Sequence, residues 1–123
     1  MGRASASERR ADSAAALATL GRLMDRFGGS AGADGPGRHL PHGMRRELAA
    51  GLAYARDRVA DGKSPVTSIR ASLSLVRAKQ RELADAVFGR TLRELADTLA
   101  DMQARKAGDA KHGESKGGDA IWE

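Results

Sequence analysis

At 123 residues, with 15 glycines, four aromatic side chains and no cysteine, the chain suffices for one modest domain and excludes disulfides and thiolate metal sites. Its formal net charge of +5 equals that of one segment, residues 63–81, which carries Lys63, Arg70, Arg77, Lys79 and Arg81 and no acidic side chain. No run of about 18 apolar residues is present, so nothing is expected to span a membrane, and the start offers neither an apolar signal stretch nor the Ser or Thr that N-myristoylation needs where Ala6 stands; a cytoplasmic protein is expected.

Alanine, with Leu, Met and Val at helical spacing, predicts an all-α fold, a small three- to four-helix bundle or hairpin. After a flexible N-terminus (1–6), Ser5 and Glu8 form a capping-box pattern. Leu17, Leu20, Met24 and Phe27 follow at spacings of 3, 4 and 3, predicting a first helix over 7–27. Gly28-Gly29 ends it. Residues 28–43 contain six Gly and two Pro and are expected to form a flexible loop. Met44, Leu48, Leu52, Ala55 and Val59 mark the buried stripe of a second helix over 44–60. Gly62 stops it, Ser64 caps the next helix, and Pro65 fits the first turn, where its missing N–H costs nothing.

From Pro65 the helical pattern continues to about residue 106, closing a single helical domain over 7–106. Unbroken, this stretch would be roughly 60 Å long. Ile69, Leu73, Val76, Leu83 and Val87 share one face, whereas Phe88, Leu92, Leu95, Leu99 and Met102 share another, turned by about 100°. Gly89 stands at the change, and Thr91 with Glu94 repeats the capping-box pattern. The long third helix is therefore expected to kink or break near Gly89, giving helices over 65–88 and 91–106. Residues 107–123 are expected to be a disordered tail ending in Ile121-Trp122-Glu123, where Ile121 and Trp122 could dock in the groove of a protein partner.

On a helix of 100° per residue, Arg77 and Arg81 lie within about 20° of Arg70, and Ser74 lies about 40° away. This stripe is about 16 Å long, comparable with five base pairs. Arginine forks and hydroxyls are suited to phosphate, so Lys63, Thr67, Ser68, Arg70, Ser74, Arg77 and Arg81 are candidate nucleic-acid contacts. The stretch VADGKSPVTSIRASL, Val59 to Leu73, resembles the helix-turn-helix region of bacterial DNA-binding proteins, departing from it at Arg58 and Ser68. The resemblance implies groove contacts by Thr67, Ser68, Arg70 and Ser74, with Arg77 and Arg81 on phosphates. A different use of the charge is also open. Glu82, Asp85, Glu94, Asp97 and Asp101 make the following segment acidic, so antiparallel copies could pair basic half with acidic half, with Leu75 at the interface.

Catalysis is not expected. The Gly62-Lys63-Ser64 triplet of a phosphate-binding loop lacks its opening glycine, since position 57 is Asp, and no strand precedes it. His39 and His42 have no Cys or carboxylate cluster to complete a metal site. No metal or cofactor is predicted. Two functions remain: a non-enzymatic helical nucleic-acid-binding or DNA-accessory protein, expected to be a homodimer and to bind duplex DNA or another polyanion, and a helical adaptor using its charge dipole and its terminal Ile-Trp pair.

Overall fold

A computed structural model describes residues 6–28 and 37–112. Among these residues the chain forms four helices and no strand: α1 (Ala6–Phe27), α2 (His42–Ala60), α3 (Pro65–Glu82) and α4 (Ala86–His112). The all-α bundle is the fold. Residues 1–5, with the Ser5 cap, 29–36 and 113–123, with Ile121 and Trp122, lie outside the described residues.

Each helix packs on the next, and α1 closes the ring on α4. Cross-helix pairs give the directions. Arg105 Nε donates to Asp12 at 2.7 Å, Thr19 and Thr98 share a buried hydroxyl bond of 2.8 Å, and Arg26 donates to Thr91 at 3.1 Å. Numbers rise in α1 as they fall in α4, so the two are antiparallel. The Glu47–Lys79 ion pair and the close approach of Leu75 to Gly51 order α2 and α3 in the same way.

The predicted stripes are the buried ones. Leu20, Phe27, Leu48, Leu52, Ala55, Val59, Ile69, Leu73, Val76, Phe88, Leu95 and Met102 all lie in the core, joined by Ala16, Leu23 and Leu40. Phe27 stacks on Phe88, with ring centroids 6.3 Å apart. That contact ties the end of α1 to the start of α4.

The turn between α2 and α3 follows its sequence closely. Gly62 adopts φ 91°, its N–H donates to Val59 O at 3.0 Å, and the Lys63 N–H donates to Arg58 O at 2.9 Å. These are the two bonds of a Schellman motif, which a residue with a Cβ would strain. Ser64 then accepts from the Thr67 N–H at 3.2 Å, with Pro65 at the first helical position. Beyond the turn the helices remain side by side. Glu47 and Lys79, each about 20 Å from the turn along its helix, still form an ion pair. A helix-turn-helix crosses steeply and would have parted by then; this pair is an antiparallel hairpin.

Four expectations change. The break between the last two helices falls at 83–85, a few residues before Gly89. Leu83 turns extended (φ −149°, ψ 106°), and the Asp85 carboxylate caps α4 by accepting from the Val87 N–H at 2.9 Å. Leu83 is consequently exposed instead of joining the Ile69 face. Thr91, read as a cap, is fully buried inside α4, where its hydroxyl donates to Val87 O at 2.8 Å. The 28–43 stretch is anchored in its described part: Leu40 enters the core, Gly37 lies against the Phe27 ring, and α2 begins at His42, after Pro41. One leucine and a glycine small enough to sit on a ring supply the apolar contact that composition alone did not suggest. At the other end α4 extends to His112, past the expected limit near 106; alanine and lysine there favour helix.

Candidate nucleic-acid interface

The basic segment is helix α3 and the turn before it. Its buried side consists of Ser68, Ile69, Ser72, Leu73 and Val76, and Leu75 fills the notch at Gly51, where an added Cβ would overlap Leu75 Cδ2. A glycine in α2 therefore sets the close approach of the two helices. Leu75, expected at a dimer interface, is instead used within the chain. The opposite side of α3 is exposed and carries Thr67, Arg70, Ser74, Arg77 and Arg81, with Lys63 exposed in the turn. The structure thus presents six of the seven sequence-derived candidates on one surface. Ser68 is the exception: it is 3% exposed and its carbonyl accepts from the Ser72 hydroxyl at 2.9 Å. Its position, about 160° round the helix from Arg70, points it inward.

Other cations along the helix seams are paired. Arg26 meets Glu94 at 2.7 Å, Arg22 meets the same carboxylate at 3.4 Å, Arg105 meets Asp12 at 2.5 Å, and Lys79 lies between Glu47 and Glu82. Glu47 holds the Lys79 ammonium above its ordinary pKa, against the opposing effect of partial burial. Arg70, Arg77 and Arg81 have no ion pair among the described residues. An i,i+4 pair between Arg81 and Asp85, which a continuous helix would permit, does not form. With α3 ending at Glu82, Asp85 belongs to the next helix, where it binds the Val87 amide and His39.

The acidic segment is turned away from the stripe. Glu94 faces α1 and is held by its arginines, and Asp97 and Asp101, three and seven residues on, continue that flank of α4. Glu82 is on Lys79 and Asp85 on His39. Hence Glu47 and Glu82 are taken up by Lys79 of α3, and Glu94 and Asp85 pair with residues outside α3, which leaves the arginine stripe without a carboxylate partner among the described residues. The early end of α3 has a second effect. Lys79 and Arg81 fall in its last turn, where positive charge complements the helix dipole. Arg77 and Arg81, one turn apart, repel by a few tenths of a kcal/mol.

Tyr54 escaped the sequence reading. It is 64% exposed on α2, and Arg58 lies over its ring at 5.7 Å, with Nη1 3.4 Å from the phenol oxygen. The signal was available: Tyr54 is about 200° round from Leu52, off the buried stripe. His39, which has no partners for a metal site among the described residues, donates to Asp85 at 2.6 Å. Among the described residues no three His, Asp or Glu side chains converge as a metal site, and no helix is long and apolar enough to cross a membrane. No protein-family model, curated protein or solved structure matches the chain.

Proposed function

We propose that the protein binds nucleic acid without catalysing a reaction, using the exposed face of α3 on phosphates. The observation that carries this reading is the contrast in pairing: Arg70, Arg77 and Arg81 stand exposed and unpaired among the described residues, whereas Arg22, Arg26, Lys79 and Arg105 are engaged across helix seams. Unpaired guanidinium groups in a row keep their donors free for phosphate oxygens, which they grip as forks. Thr67 and Ser74 add hydroxyl donors on the same face. The hairpin geometry supports backbone contact over insertion of a recognition helix, so binding to duplex DNA should depend little on sequence.

The test is charge reversal. Arg70→Glu, Arg77→Glu and Arg81→Glu combined should abolish retention of duplex DNA in a mobility-shift experiment, with helicity by circular dichroism unchanged because all three side chains are exposed. Undiminished retention by the triple variant contradicts the assignment.

A further inference from the structure

We infer that Tyr54, backed by Arg58, is a base-stacking platform across α3 from its arginines, and that the protein therefore holds single-stranded nucleic acid more tightly than duplex. This inference rests on the phosphate-binding reading of α3 and names the class of strand it prefers. The register that brings Gly51 to Leu75 and Glu47 to Lys79 sets Tyr54 level with Ser72, between Arg70 and Ser74 along α3. Tyr54 and Arg58 follow Gly51 by three and seven positions, so they continue the flank of α2 that faces α3. The helix axes there are separated by one close helix–helix spacing, about 8–10 Å.

The ring is positioned for stacking. Arg58 occupies one side, with its guanidinium 5.7 Å from the ring centroid and in reach of the phenol oxygen at 3.4 Å, which limits the freedom the ring would lose on binding. The remaining surface is open, as its 64% exposure shows. Across α3 from Tyr54 lie exposed Ala71, then Ser74, then Arg70, Arg77 and Arg81. A strand crossing the helix in that direction meets an aromatic face first, small side chains next and unpaired cations last. Lys63, exposed in the turn, adds charge at the same end.

The chemistry selects the strand. An aromatic face adds affinity only for a base whose own face is free, as in a single strand; in a duplex the bases are already stacked on each other. Phosphate contacts by the arginines serve both forms. The preference for single strands should therefore reside in Tyr54 alone.

Fluorescence anisotropy with a labelled single-stranded oligonucleotide and the same sequence as duplex separates the two claims. Wild-type protein should bind the single strand more tightly. Tyr54→Ser should lose about 5- to 150-fold on the single strand, the value of one base stack, with duplex affinity unchanged, and Tyr54→Phe should retain the preference. An unchanged single-strand affinity in Tyr54→Ser, or an equal loss on both probes, overturns the platform. Wild-type protein that binds neither probe overturns the phosphate reading beneath it.

Discussion

The Asp85 carboxylate accepts from the Val87 amide with one oxygen and from His39 with the other. The amide bond first, and the histidine second, hold its pKa below the ordinary 3.8. A depressed carboxylate adds stability that is present above its unfolded pKa and is lost as pH falls through the folded value. Asp85→Ala should therefore lower the melting temperature at pH 7, and the gap from wild type should close in acid below pH 3.8; thermal melts across that range provide the check. Lys79 has the opposite sign. Its pKa is raised above 10.5 chiefly by Glu47, so its contribution is complete below that pH and fades as pH rises through the folded value. Melts of Lys79→Met against wild type should differ by less in strong alkali than at neutral pH. Phe88 is fully buried against Phe27, and its replacement by Ala should cost about 3–5 kcal/mol in urea unfolding, a large part of a small domain's total stability.

At the scale of helices, Gly51 determines how closely α2 and α3 lie. Gly51→Val would drive branched carbons into Leu75 and should cost about 1–3 kcal/mol by overpacking, measured as a lower urea midpoint with unchanged slope. The helices themselves were legible, because spacing along one element reports the face that element buries. The stripe from Met44 to Val59 and the cap and turn from Gly62 to Pro65 needed only local sequence. What escaped was set by residues distant in the chain. The break at 83–85 depends on Asp85 turning to cap α4 while His39 holds its other oxygen; local spacing alone placed Leu83 on the buried face and moved the break to Gly89. Leu40 is a lone apolar residue in a glycine-rich stretch, and only the packed bundle shows the site it fills. The exposed stripe followed from helical phase, but the pairing that leaves it open depends on the partner helix each carboxylate faces. The sequence could not assign Glu94 to Arg22 and Arg26 on α1.

Among the described residues, the ion pairs between α1 and α4 and the open arginines of α3 occupy different surfaces. One surface carries the open arginines of α3, and another joins Glu94 of α4 to Arg22 and Arg26 of α1 and Arg105 of α4 to Asp12 of α1. The two sets do not pair with each other among the described residues, so the α3 face keeps its positive charge. The most direct measurement is the salt dependence of duplex DNA affinity. If Arg70, Arg77 and Arg81 each neutralise one phosphate, log affinity should fall with log salt at a slope of about −2.7, a loss of roughly 40-fold between 50 and 200 mM. A slope near zero, or an equal slope in the triple arginine-to-glutamate variant, would contradict phosphate binding by α3.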